Sequence, residues 1–573
     1  MWLYSFDEYF ELNWALNFFL KHVNKKALKI HGHDNLIVAL HDLKAGEEIE
    51  YAAGHFITLT TDVKTKHKFT ETDLKPGDKV FMYGVLVGNA TQAVAKGELV
   101  GKHNLTHASE SMLPWKKIPD WRALDTSKWE KRTFNGYARA DGSAGTANFW
   151  IVLPMVFCEN RNVAVIKDAF MNALGYSQPS VYRQQVDQLV EQYKSGESAE
   201  SIRNTSFNIE EGQIIANPVF PNVTGIKFLT HQGGCGGTRQ DSEMLCKLLA
   251  GYINHPNVAG ATVLSLGCQN AEVSFLQESI KAINPGQDKP VLIFDQQETG
   301  GERELLSSAI KETFLGLMKA NEMTRTPQPL SKLVIGVECG GSDGFSGISA
   351  NPTIGHVSDL LVSMGGASIL SEFPELCGVE QNLIDRCVTK EKADKFMHLM
   401  EAYARRAEAV GSGFDMNPSP GNIRDGLITD AMKSAGAAEK GGTSPVKDVM
   451  DYGEYIKERG LNLLCTPGND VESTTGLAGS GANIILFSTG LGTPTGNPIT
   501  PVIKVSSNTL LANKMEDIID YNTGEVITGE KTIEACGEEL LEMVIKAASG
   551  EYIAKADRLG QDDFIPWKRG VSL

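Results

Sequence analysis

The residue types best suited to chemistry cluster in three glycine-rich stretches, each carrying one cysteine and each following an apolar run. His231-Gln-Gly-Gly-Cys235-Gly-Gly-Thr238-Arg239 follows 226–230, Gly267-Cys268-Gln269-Asn270 follows 261–266, and Glu338-Cys339-Gly340-Gly341-Ser342-Asp343-Gly344 follows 333–337. Glycine lets backbone N–H groups come close to a ligand, and a helix N-terminus favours an anion or a thiolate. A lone cysteine is more often a small buried hydrophobe. Three at equivalent positions are expected to share one centre, with Cys235, Cys268 and Cys339 as metal ligands or their supports. His231, Cys235 and Asp343 are then the expected catalytic groups, with Glu338 beside them. A hydrogen-bonding, purely structural His231 is the competing reading.

Two further loops follow apolar runs, Thr466-Pro467-Gly468-Asn469-Asp470 and Thr489-Gly490-Leu491-Gly492-Thr493-Pro494-Thr495-Gly496-Asn497. They are rich in hydroxyls and backbone donors, which suits a polyhydroxylated anion; two surface turns are the bland alternative. The glycine loops do not match G-x-G-x-x-G or G-x-x-x-x-G-K-[ST] cleanly, so nucleotide binding is unsupported.

The elements that must position these loops follow from the pattern around them. Near-continuous apolar runs at 149–157, 226–230, 261–266, 291–294, 333–337, 461–465 and 484–488 alternate with helical segments such as 241–253 and 390–410. That predicts a large α/β region with Rossmann-like parallel sheets, whose ligands sit outside the carboxyl ends of the strands. Eight of the twelve histidines lie before residue 110 and all nine cysteines after residue 157, which separates an N-terminal module from the rest. Short apolar stretches and turn signals over 28–108 predict a small all-β domain. The expected organisation is an extension at 1–27, the β domain at 28–108, a connector at 109–132, and α/β subdomains at 133–330 and 331–573. Trp115, Trp121 and Trp129 in the connector predict that it packs against a neighbouring domain.

The charge of −17 and the lack of a basic run argue against nucleic acid as a partner. No stretch matches a membrane span or a secretory signal, so a cytoplasmic protein with no membrane partner is expected. Assembly into a homo-oligomer is left open.

Long motifs in a fixed order resemble the altronate/galactarate dehydratase family of sugar-acid hydro-lyases. The resemblance runs from about residue 29 to 550. Ile30-His31-Gly-His33-Asp34-Asn35 and Val87-Gly88-Asn89-Ala90-Thr91 look like the family's SAF-type β-clip domain. His231-x-x-Gly234-Cys235-Gly236, Ser265-Leu-Gly-Cys268, Cys339-Gly-Gly-Ser-Asp-Gly-Phe-Ser-Gly-Ile-Ser-Ala-Asn-Pro352, Asn417-Pro-Ser-Pro-Gly-Asn422, Gly442-Thr-Ser-Pro445, Thr466-Pro-Gly-Asn-Asp470 and Pro501-Val-Ile-Lys504-Val-Ser continue it. Residues 1–27 lie outside the pattern and are expected to be dispensable for turnover.

The resemblance implies loss of the C2 proton and C3 hydroxyl of a small sugar acid. For altronate this gives 2-dehydro-3-deoxy-gluconate, within hexuronate catabolism. It implies iron(II) as cofactor, with an iron–sulfur cluster or another divalent cation such as Mn(II) as alternatives. His31, Asn351, Asn422, Thr443, Asn469 and Lys504, all in matching segments, are the expected substrate contacts, with Arg239 joining them as a source of positive potential for an anion. His55 and His103 are further groups that could cap the cleft, and Arg424 could add positive potential. Competing readings are a galactarate or other aldarate/aldonate dehydratase and a non-catalytic sugar-acid-binding protein.

Overall fold

The protein is described by a computed structural model over residues 25–110, 112–177, 181–207 and 218–573. The extension before Lys25 lies outside the described residues. Among them, no helix is long and apolar enough to cross a membrane.

Residues from Ala27 to Thr106 form the expected β domain of short antiparallel strands. Ala27–Leu28, Leu36–Ala39, Lys68–Thr70 and Leu99–Val100 make one sheet. Lys79–Met82, Val85–Ala90 and Leu105–Thr106 make another. The first strand opens at Ala27, one residue earlier than the sequence pattern indicated, because Ala27 pairs with Ala39. Leu36, Val38, Val80, Met82 and Val87 belong to a cluster that also contains Phe345, Ile348, Ile428, Ala431 and Met432. The β domain is therefore docked through a shared apolar core.

The connector uses all three of its tryptophans. Trp115 Nε1 donates to the Cys387 carbonyl (2.8 Å), Trp121 Nε1 to Thr443 Oγ1 (3.1 Å), and buried Trp129 to Glu542 (3.1 Å). Each partner lies in the second α/β unit.

The first α/β unit has four parallel strands, β1 (Phe149–Pro154), β2 (Gly225–Phe228), β3 (Val258–Ser265) and β4 (Val291–Asp295), in the order β2-β1-β3-β4. All eight residues of β3 are buried, as a strand covered on both faces requires. Helix α1 (Arg239–Asn254) follows the first glycine loop and is capped by Thr238, whose side chain accepts from the Asp241 N–H. The second unit has seven parallel strands: β5 (Val334–Cys339), β6 (Ala367–Leu370), β7 (Val446–Met450), β8 (Gly460–Leu464), β9 (Ile484–Thr489), β10 (Val502–Ser506) and β11 (Tyr521–Asn522). Their order is β7-β8-β6-β5-β9-β10-β11. The chain winds outward from β5 in one direction and resumes at β9 in the other. The crevice between the carboxyl ends of β5 and β9 is thus a topological switch point, the usual ligand position in such sheets.

Candidate active site

The crevice is built by glycine. β5 ends at Cys339 and turns through Gly340 and Gly341, the latter at φ +60°. A Cβ on Gly340 would lie 2.3 Å from Asp470 Oδ2 and 2.7 Å from the Phe487 ring. The Gly341 carbonyl accepts from the Gly490 and Leu491 N–H groups (3.0 and 2.9 Å), tying the loop after β5 to the loop after β9.

Beneath this turn lies a buried cluster of charge. Glu338 and Cys339 come from β5, while Glu372 and Glu375 come from the turn after β6. Two lysines project from helix α2 (Asp430–Ala438) and the turn that follows it. Lys440 pairs with Glu372 at 2.6 Å, each side chain 1% exposed. Lys433 pairs with Glu375 and donates to Asn417 Oδ1 at 2.9 Å. The Cys339 thiol donates to Glu375 Oε2 at 3.1 Å. Glu338 Oε2 accepts from Ser371 and Ser473 (2.7 and 2.6 Å).

Burial and neighbouring charge set the protonation pattern. Burial, helped by Glu372, pushes Glu338 well above the usual carboxylate range. Burial and then Glu372 and Glu375 also push the Cys339 thiol well up. Burial would raise Glu375, but Lys433 and Lys440 outweigh it and hold it below its ordinary value. Asp470 opens helix α3 (Asp470–Gly479) at the carboxyl end of β8 and is half-buried. Burial, with Glu372 and Glu375 nearby, pushes it up to about 7. A carboxylate poised near neutrality at a strand-end crevice is suited to general-base work.

Asp343 sits beside this crevice but is occupied. Its Oδ1 accepts from the Phe345 N–H (3.1 Å), Ser346 Oγ (2.9 Å) and Ser507 Oγ (2.8 Å). Its Oδ2 accepts from Asn508 Nδ2 (3.1 Å) and pairs with Lys66 Nζ (2.9 Å). With five donors on two oxygens, Asp343 anchors the β domain, from which Lys66 comes. Lys68, buried on the same turn, donates to the Gly426 carbonyl at 2.6 Å and is lowered to about 7 by burial.

At the start of helix α2, Asp430 meets Cys377 and His107, their ligand atoms all within 4.8 Å of one another. Among the described residues, one other such group brings three ligand atoms together, Cys339–Glu372–Glu375.

The structure corrects the expectation of one centre formed by Cys235, Cys268 and Cys339. Cys235 and Cys268 are neighbours: Asn270 Nδ2 donates to the Cys235 carbonyl (2.7 Å) and the Ala271 N–H to that of Gly234 (3.1 Å). Their loops close the first sheet, joined by the loop after β1 that bears exposed Cys158. Cys339 ends a strand of the second sheet with its thiol turned into the carboxylate cluster, and neither three-ligand group contains Cys235 or Cys268.

His231 is also spoken for. Its Nε2 lies 2.7 Å from the Pro154 carbonyl and its Nδ1 accepts from the Gly233 N–H at 3.1 Å, so both ring nitrogens brace the loop. Burial lowers its pKa, keeping the ring neutral. Asn351 bridges Ser488 and the Gly436 carbonyl, and Asn422 caps Ser419 while donating to the Ser342 carbonyl (2.7 Å). Both are buried struts of the crevice wall. Thr443 lies before β7, at the amino end of the sheet, bound to Asp359 and Trp121. That position is opposite to a substrate contact. Lys504 is buried inside β10, bonded to the Thr495 carbonyl and 5.3 Å above the Phe487 ring, so it braces the 489–497 loop. Burial lowers it to about 8. Asn469 is exposed on the loop that carries Asp470, open to the crevice. Arg239 is exposed at the start of α1, on the first sheet. His31 is half-buried on the β domain, stacked on His33 with its Nδ1 accepting from the His33 N–H (3.2 Å); His55 and His103 are exposed.

The sequence reading missed Glu372, Glu375, Lys433, Lys440, His107, Cys377 and Asp430. One signal is present: Glu372-Phe-Pro-Glu375-Leu-Cys377 also follows an apolar strand.

Three family models match the chain in order. They are the altronate/galactarate dehydratase SAF domain (residues 25–108), the second domain of D-galactarate dehydratase/altronate hydrolase (136–321) and the C-terminal D-galactarate/altronate dehydratase domain (330–572). The chain is 34% identical to an altronate dehydratase of Bacillus subtilis (strain 168), covering 96% of this chain and 100% of that one. It is 32% identical to an altronate dehydratase of Escherichia coli (strain K12), covering 95% and 99%. Against the galactarate dehydratase (L-threo-forming) of Escherichia coli (strain K12) identity is 29%, covering 93% and 94%. With its three domains matched in sequence and its relatives spanned nearly end to end, the chain belongs to the altronate/galactarate dehydratase family.

Proposed function

We propose that this chain is an altronate dehydratase, a hydro-lyase converting D-altronate into 2-dehydro-3-deoxy-D-gluconate in hexuronate catabolism. The observation that carries this reading is end-to-end similarity to two altronate dehydratases, at 34% and 32%, above the 29% to a galactarate dehydratase. The same catabolic role makes the cytoplasm its proposed location.

The crevice supports the chemistry. A proton beside a carboxylate is weakly acidic, so its removal needs a base placed in a field that tolerates developing negative charge. Asp470, held near neutrality, takes the C2 proton. The C2–H electron pair becomes the C2=C3 double bond as the C3–O bond breaks. The departing hydroxide leaves as water after protonation, and the enol product tautomerises to the 2-keto acid. The N-terminal N–H groups of α3 supply local positive potential against the overall charge of −17.

The resemblance also implies a ferrous ion. Cys339–Glu372–Glu375 does not suit a dication, because Lys433 and Lys440 already neutralise its carboxylates. His107–Cys377–Asp430 does suit one: it offers nitrogen, sulfur and oxygen donors, and the buried Asp430 Oδ1 has no partner besides His107. Such an ion, when bound, would supply positive charge to polarise substrate oxygen.

The test is a panel of aldonates and aldarates offered to anaerobically iron-loaded protein, with 2-keto acid release as readout. D-altronate should give the highest kcat/KM. Faster turnover of galactarate would move the chain to the neighbouring branch of the family, and binding of altronate without product would favour a sensor.

A further inference from the structure

We propose that His107, Cys377 and Asp430 form a divalent transition-metal site shared between the β domain and the second α/β unit, with one face open to a ligand. The three residues come from separate elements. His107 directly follows the last strand of the β domain, Leu105–Thr106. Cys377 follows the turn Phe373–Leu376, and Asp430 is the first residue of α2. Their ligand atoms lie within 4.8 Å of one another, close enough to surround one ion with small side-chain adjustments.

Two observations set this group apart from an ordinary ion pair. His107 Nδ1 and Asp430 Oδ1 are buried atoms that meet as an ion pair, and neither has a further hydrogen-bond partner. A cation would let both atoms, with the Cys377 thiol beside them, ligate one centre instead of pressing on each other. The surroundings are also short of positive charge. Glu380 and Asp415 face His107 and Cys377 in addition to Asp430. The neighbouring Glu372–Glu375 cluster, by contrast, is balanced by two lysines. A mixed N, S, O donor set suits iron(II), cobalt(II), zinc(II) or manganese(II) better than calcium or magnesium.

Three protein ligands leave coordination positions free, as catalytic rather than structural sites do. The His107 side chain is 31% exposed, so the group lies near the surface. Cys377 lies two residues beyond Glu375, and Asp430 one helical turn before Lys433. Resting on the dehydratase reading, this places the ion beside the carboxylate–lysine cluster. There it would supply positive charge to the substrate carboxylate and a hydroxyl.

Cobalt(II) alone, added to chelator-treated full-length protein, is the probe. One ion should bind per chain, with a thiolate-to-cobalt charge-transfer band in the near ultraviolet. Cys377→Ser should abolish the band. His107→Ala and Asp430→Asn should weaken binding by at least the ~10–100-fold typical of losing a metal's outer-shell partner. Cys339→Ser should keep the band. Circular dichroism and thermal melts establish that each variant is folded, and the near-isosteric Asp430→Asn guards against a folding artefact. A band that survives Cys377→Ser, whichever cysteine carries it, overturns the proposal. So does unchanged cobalt affinity in folded His107→Ala and Asp430→Asn proteins. Turnover of altronate is measured separately. An active enzyme whose metal content ignores all three substitutions sinks the site alone, and a site that behaves as described in a protein inert to altronate sinks the dehydratase reading alone.

Discussion

Replacing Asp470 by Asn should damage catalysis and improve stability at the same time, in a pH-dependent way. The carboxyl titrates near 7 in the folded protein because burial and the neighbouring Glu372 and Glu375 disfavour its charge, against an ordinary value of 3.8. The folded state therefore holds this proton more tightly than the unfolded chain. Folding stability is greatest below the unfolded pKa and declines as pH rises through about 7. Between pH 5.5 and pH 8.5 the decline spans roughly 1.5 pKa units, or at most ~2 kcal/mol at 1.36 kcal/mol per unit. Partial access of water to the side chain lowers this to about 1 kcal/mol. Asn carries no such penalty, so Asp470→Asn should stabilise the protein more at pH 8.5 than at pH 5.5. For folding units of this size the difference in Tm shift is about 2–4 °C. In activity, the wild-type kcat/KM should climb about tenfold per pH unit below 7 and level off above it. Asp470→Asn should lose roughly 10²–10⁴-fold and lack that climb. Thermal melts and initial rates at the two pH values test both halves. A variant with wild-type turnover, or with the same Tm shift at both pH values, would refute the assignment.

Two other predictions concern the buried charges. Lys440→Met strands Glu372 without its partner in a site where both side chains are 1% exposed, which should cost about 3–5 kcal/mol. Adding Glu372→Gln should recover much of that loss in chemical denaturation. His255 is fully buried, its Nε2 against the Ala482 carbonyl (2.9 Å) and its Nδ1 accepting from the Asn257 N–H (3.0 Å), and burial lowers it to about 3. The unfolded chain takes up this proton from pH 6.5 downward, so stability present above pH 6.5 is lost as the medium acidifies. The loss should reach about 3 kcal/mol by pH 4. His255→Gln should show a shallower acid decline, read from urea midpoints across that range.

The architecture was legible where local pattern decides it. Runs such as 261–266 and 484–488 are nearly continuously apolar because both faces of the strand are covered, and β3 and β9 stand on them. Strands β7 (VKDVM) and β10 (VIKVS) escaped notice because each carries a lysine, and nothing local reveals that Lys504 is buried inside β10. The glycine loops were also legible, since Gly340 and Gly341 serve a close approach that any side chain would block. What their cysteines do was not. Equivalent strand-end positions in two different sheets look alike in sequence but open onto separate crevices, so Cys235 and Cys268 part company with Cys339. Lys433 and Lys440 read as solvated charges on an alanine-rich helix. Lys433 lies on helix α2 and Lys440 on the turn after it, and only the fold shows that they meet Glu375 and Glu372. His107 belonged to a histidine-rich module whose members are mostly exposed. Only the docking of that module distinguishes His107 from His55 and His103.

The central claim, that this chain removes the C2 proton and C3 hydroxyl of altronate, is tested most directly by running the reaction in deuterium oxide. Iron-loaded protein is incubated anaerobically with D-altronate and the product followed by NMR. The enol released by elimination must take its new hydrogen at C3 from solvent. The expected product is 2-dehydro-3-deoxy-D-gluconate with one deuterium at C3. Altronate recovered unchanged, or consumed without a 2-keto acid bearing that label, would contradict the account.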